Sequence, residues 1–127
     1  MSGIGVRYFD IAARIACLAR TRGKFDKAQV NKLIEVLEAS PEKEAIQYLT
    51  AFISRQSSKG LINRDAAREL TRFFFSLSNV KNPKEEARKF LGIFKWLYEA
   101  AERAYLRNVN CGKLTYEQFI RIVLGLG

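Results

Sequence analysis

The sequence predicts an all-α fold, a single bundle of about six helices spanning residues 1–127. Three observations carry that reading. Apolar residues recur at i, i+3, i+4 and i+7 along most of the chain, the repeat of one buried helix face. Capping residues and glycines break those runs at clear points. No segment shows the period-two alternation of a half-buried strand.

The first helix runs from about Val6 to Arg22, rich in alanine, and Gly23 stands as its stop. Asp26 caps the second, with Gln29 three residues on, and Phe25 and Val30 occupy the positions of a hydrophobic staple. Val30, Leu33, Ile34 and Leu37 form its apolar face. Ser40-Pro41 is expected to open the third helix as N-cap and N1, since proline loses nothing where the N–H is unpaired anyway. Its buried face should be Ala45, Tyr48, Leu49, Phe52 and Ile53, with Lys59-Gly60 ending it.

Asn63 caps the fourth helix, with Ala66, Ala67, Leu70, Phe73, Phe74 and Leu77 inward. Asn82-Pro83-Lys84-Glu85 has the form of a capping box and opens the fifth and longest helix. Ala87, Phe90, Leu91, Phe94, Leu97, Tyr98 and Ala101 carry its stripe toward Tyr105. Thr115 caps the last helix, with Gln118 at N3 and a second staple between Leu114 and Phe119.

A joint recurs three times, as Gly23-Lys24-Phe25-Asp26, Gly60-Leu61-Ile62-Asn63 and Gly112-Lys113-Leu114-Thr115. It reads as a left-handed glycine followed by an apolar residue that pins the next helix. An EF-hand places glycine and an apolar residue in the same relation. Here its first ligand position would fall on Arg55 or Arg107, where calcium requires a carboxylate, so calcium binding is rejected.

A hydrophobic fraction of 48% and a charged fraction of 28% are those of a globular chain, not a disordered one. The charge balance is less ordinary. Twenty-two Lys and Arg against 13 Asp and Glu give +9, which draws a protein toward polyanions. There is no histidine, so an imidazole base, a Ser-His triad and a His-bound metal are all excluded. No P-loop or two-metal carboxylate cluster is present, and no cofactor is expected. The glutamates fall beside basic residues, as Glu85–Lys89 and Glu99–Arg103 at i, i+4.

The only cysteines, Cys17 and Cys111, lack the companions of a zinc site. Their spacing leaves a disulfide open. No apolar run reaches the length of a membrane span, and the first residues lack the zones of a signal peptide. The chain is therefore expected to be cytoplasmic, with both thiols reduced.

The cations are better organised than the carboxylates. Arg64, Arg68 and Arg72 lie four apart on the fourth helix, within about 80° of arc and opposite its apolar face. Phe75 falls at nearly the angle of Arg64 and Arg68, so the stripe has the parts of a phosphate clamp ending in a stacking ring. The plain alternative is a solvated helix face. A second candidate is the first joint, where Arg20, Arg22 and Lys24 surround a helix end and a turn. A third is Lys84, Arg88 and Lys95 on the fifth helix, partly neutralised by Glu99 and Glu102.

Three such surfaces favour a nucleic-acid partner, RNA or single-stranded DNA, with other protein subunits and self-association as further contacts and no membrane. Two other readings compete. The third and fourth helices form a candidate DNA-reading helix-turn-helix, although the third is long for that motif. Alternatively the chain is a protein–protein adaptor, with Phe75 or Trp96 anchoring a basic interface.

In size, helical content, basic charge and absence of catalytic groups, the whole chain resembles the small helical subunit of archaeal CRISPR effector complexes. That resemblance implies a non-enzymatic protein whose copies stack head to tail and contact the guide–target duplex or the displaced strand through basic helices. It has no signature motif, so no residue is carried over from that family by position. The residues assigned here, Arg20, Arg22, Lys24, Arg64, Arg68, Arg72, Lys84 and Arg88, rest on this sequence alone.

Overall fold

A computed structural model describes the backbone of residues 3–127 and the side chains from residue 7 onward. Among the described residues there are six α-helices and no strand. They are α1 (Gly3–Arg22), α2 (Lys27–Ala39), α3 (Ala45–Ser58), α4 (Arg64–Phe75), α5 (Pro83–Ala100) and α6 (Tyr116–Leu124).

α1 is the axis of the bundle. Ala12, Ala13, Ile15, Ala16, Cys17, Leu18 and Ala19 are all buried, so this helix is covered nearly all round. Its alanines leave room for larger side chains from α4, α5 and α6. α5 runs parallel to it: Tyr8 donates to Glu86 and Arg20 to the Tyr98 carbonyl, both at 2.7 Å and both across 78 residues. α4 runs the other way, with Asn63 bonded to the carbonyls of Leu18 and Gly23 and Phe73 against Tyr8 near the opposite end. Phe73, Phe74, Phe90 and Phe94 join Tyr8 in a mostly edge-to-face aromatic cluster, with Phe73 stacked on Phe90 at 4.0 Å between centroids.

α2 lies antiparallel to α5. The Tyr98 hydroxyl donates to the Phe25 carbonyl at one end, and Lys84 donates to the Ser40 carbonyl at the other, each at 2.7 Å. Gln29 and Gln56, both buried, bond to one another and tie α2 to α3. Such a pair is tolerable in a core only because its polar atoms are satisfied. Among the described residues no buried side-chain N or O lacks a partner.

The caps at Asp26, Asn63 and Thr115 form as the sequence predicts, the last with both halves of its capping box. Other expectations are corrected. Ser40 turns back, donating to the Leu37 carbonyl and closing α2, while a 3-10 turn over Glu42–Glu44 precedes α3. Asn82 makes no side-chain cap bond, and the Glu85 carboxylate that would complete a capping box pairs with Arg88 instead. Tyr48 is 47% exposed, and Ile46 takes the buried position expected of it. α5 stops at Ala100 and passes into a 3-10 turn over Ala101–Arg103, short of Tyr105. Gly23 and Gly60 are left-handed as expected, at φ 71° and 74°. Gly112 is not, and the left-handed residue of that stretch is Asn108 at φ 69°.

The cysteines are the largest correction. Cys17 and Cys111 form a disulfide, with Cα atoms 5.6 Å apart and 94 residues between them in sequence. Arg14 holds the Leu114 carbonyl, Asp10 accepts from the Tyr116 N–H, and Phe9 packs on Tyr116, so this segment runs back along α1. Neighbourhood in that tertiary arrangement, which spacing does not reveal, makes the pair. Closing a loop of this length is worth about 4–5 kcal/mol in the chain-entropy account.

Candidate nucleic-acid interface

α3 and α4 form a hairpin, and between them lies an open groove of about 610 Å³. Its α4 wall is Arg64, Ala67, Arg68, Thr71, Arg72 and Phe75, and its α3 wall is Ile53 with Ser54, Ser57 and Ser58. This is the arginine stripe of the sequence, now with an opposing wall. Of the six helices α4 segregates polar from apolar residues most strongly: Leu70, Phe73 and Phe74 face the core, and the arginines face out.

The electrostatics follow from what is missing. No acidic residue lines the groove. Arg64 and Arg68 are exposed and have no ion-pair partner among the described residues, while Arg72 pairs with Glu69 yet keeps 71% of its side-chain surface exposed. Phe75 closes one end at 58% exposure, an unusual state for a phenyl ring on a small folded chain. At 1.5 Å per residue, Arg64 to Phe75 spans roughly 16 Å, about the length of five stacked nucleotides.

The first joint divides. Arg20 donates twice to the Tyr98 carbonyl and lies 3.9 Å over the Tyr98 ring, so it is a tether between α1 and α5. Arg22 pairs with Asp65 at 3.0 Å. Lys24 is exposed, unpaired among the described residues and held outward by a left-handed backbone at φ 51°. The Asn63 amide, bonded to the Gly23 carbonyl at 2.8 Å, brings this joint against the N-terminus of α4. Gly60 and Leu61 share a hollow with Gly23 and Lys24. The first joint, which the sequence presents apart from α4, therefore adjoins the N-terminus of that helix, and exposed Lys59 directly precedes the second of the two turns.

The third surface is of a different kind. Lys84 donates to the carbonyls of Glu38 and Ser40, capping the end of α2. Arg88 grips both oxygens of Glu38, at 2.7 and 2.8 Å, and also pairs with Glu85. The Arg88 hydrogen bonds, with its charge and that of Lys84, hold the Glu38 carboxyl below the usual carboxylate range, and the Arg88 guanidinium is raised in turn. The expected Glu85–Lys89 and Glu99–Arg103 pairs are replaced by Glu85–Arg88, Glu86–Lys89 and Lys27–Glu99. Lys84 and Arg88 hold two helices together.

The three aspartates are similarly engaged. Asp10 accepts from Tyr116, Asp26 caps α2 and Asp65 pairs with Arg22. Among the described residues no group of His, Cys, Asp or Glu is placed to hold a metal ion. A second concavity, of about 700 Å³, lies by α6 and is walled by Val109, Leu114 and Ile122. Of its two cations Arg121 is paired with Glu117, so it does not gather charge as the α3–α4 groove does.

No described helix is long and apolar enough to cross a membrane. Comparison of the chain with protein-family models, with curated proteins and with solved structures finds no match.

Proposed function

We propose that this chain is a non-catalytic nucleic-acid-binding protein, a subunit of a ribonucleoprotein assembly, that holds a single strand along the α3–α4 groove. One observation carries the reading: Arg64 and Arg68 stand in a groove with no acidic lining residue, continuous with an outward phenyl ring. Unpaired guanidinium groups, helped by the serine hydroxyls of the facing wall, suit phosphate oxygens. Phe75 offers a stacking platform indifferent to base identity. The groove lies between two packed helices, which suits a flexible single strand better than a rigid duplex. The resemblance to CRISPR small subunits agrees with this reading in size, charge and helical content.

The experiment is fluorescence anisotropy with labelled single-stranded RNA, single-stranded DNA and duplex, titrated over a range of salt. Binding to single strands should weaken log-linearly with salt, at a slope of about −0.7 per phosphate engaged. Absence of binding even at low salt overturns the proposal and leaves the groove to an acidic protein partner.

A further inference from the structure

The outward face of α5 has no role in the groove, yet it carries two features that the fold does not require. Trp96 is 71% exposed, the most exposed of the large hydrophobic residues described. One turn before it stands Gly92, in mid-helix, where glycine is among the poorest helix formers. A Cβ built on Gly92 meets nothing within 4 Å, so no neighbour in this chain demands its absence. A bare spot and a large exposed ring, one turn apart on the same face, form a hole and a knob.

The charges around them have a matching order. Along the middle of this face run Glu85, Lys89, Gly92, Trp96 and the half-buried Glu99, with Arg103 in the turn that continues α5, and exposed Arg88 and Ala100 flank the strip on either side. The strip's residues on α5 itself fall within about 80° of arc, opposite the face of Phe90, Phe94 and Leu97. Reversing this series exchanges Glu85 with Arg103, Lys89 with Glu99, and Gly92 with Trp96. Each exchange joins opposites, acid with base or small with large. All three share one midpoint, at the level of residue 94.

We infer that this face docks against a second copy of itself, the two α5 helices antiparallel about a two-fold axis at that midpoint. In a two-fold contact residue i meets residue j and j meets i, so self-complementarity of this kind is the condition for closure. Trp96 of each copy covers Gly92 of the other. Lys89 meets Glu99, and Glu85 meets Arg103, on both sides. The intrachain partners of these charges are exposed pairs, Glu85–Arg88 and, at 3.5 Å, Lys89–Glu86 and Lys27–Glu99, that are shared or exchanged at little cost. Arg103 has no acidic partner among the described residues. A partner of other chemistry would need no such order about a midpoint. The closed two-fold gives a dimer and not the open head-to-tail stack that the family resemblance implies.

Sedimentation equilibrium of the whole chain without nucleic acid tests this. A dimer is expected, with affinity on the order of micromolar for a contact one helix face wide. Because each chain carries +9, added salt should preserve or strengthen the dimer by screening repulsion, the opposite of its effect on nucleic-acid binding. Trp96→Ala should weaken association at least tenfold, and so should Gly92→Leu, which fills the hole. Lys89→Glu alone sets like charges against one another and should weaken the dimer. Adding Glu99→Lys should restore it, with circular dichroism confirming that every variant is folded. A chain that stays monomeric at several hundred micromolar overturns the proposal, as does a dimer indifferent to all four changes.

Discussion

The outward face of α4 and the first turns of α5 carry the same lettering and have opposite fates. Each sets basic residues four apart, Arg64 and Arg68 on one, Lys84 and Arg88 on the other. On α5 both cations are consumed by the end of α2, through the Glu38 carboxylate and the carbonyls of Glu38 and Ser40. On α4 the facing helix offers Ser54, Ser57 and Ser58 and no carboxylate, so both arginines are left to solvent. A basic stripe is therefore a statement about one helix, whereas a binding surface is a statement about two.

The sharpest test of the contrast reverses charge at each place. Arg64→Glu with Arg68→Glu should lower single-strand affinity by at least about 100-fold and flatten the salt slope by about 1.4, with thermal stability unchanged. Lys84→Glu with Arg88→Glu should lower the melting temperature and change affinity by no more than a few-fold, through net charge alone. Equal losses of affinity from the two pairs would erase the distinction.

A smaller effect is expected at the hinge that joins the two halves of the proposed surface. Asn63→Ala removes the α4 cap and the bonds to Leu18 and Gly23, and should destabilise the fold by about 2 kcal/mol in denaturant unfolding. Affinity should fall by less than the arginine reversals cause, because Lys24 is displaced while Arg64 and Arg68 remain.

The smallest concerns pH. The Glu38 carboxyl is lowered from its ordinary value of 4.5, chiefly by the hydrogen bonds from Arg88. A carboxyl depressed in the folded state contributes stability above its ordinary value and loses it as the pH falls through the depressed one. Arg88→Ala should shrink that acid-side loss, seen as a flatter fall in the urea midpoint below about pH 5. Arg64→Ala and Arg68→Ala should not alter it, since neither arginine has an ion-pair partner among the described residues.

Part of the candidate site was legible in the chain. The 3.6-residue period placed Arg64, Arg68 and Phe75 on one side of α4 because helical geometry is local and the apolar face opposite them is unambiguous. Arg20 was legible as a cation at a helix end. Its capture by Tyr98, 78 residues away, was not. Lys59 was passed over because a lone lysine before a glycine carries no pattern until the Gly23 and Gly60 turns are seen to adjoin.

What the sequence determined by itself was the helical class, the three side-chain caps at Asp26, Asn63 and Thr115, the inward faces of α4 and α5, and the positive charge. Each depends on residues within a turn or two of one another, where 1.5 Å of rise and 100° of rotation fix who meets whom. The tertiary structure alone decided that Cys17 joins Cys111, that Ser40 closes one helix instead of opening the next, and that Glu38 claims Arg88. Those outcomes depend on which helix ends come to lie together, and that is set by the burial of the whole core around α1 and not by any local pattern.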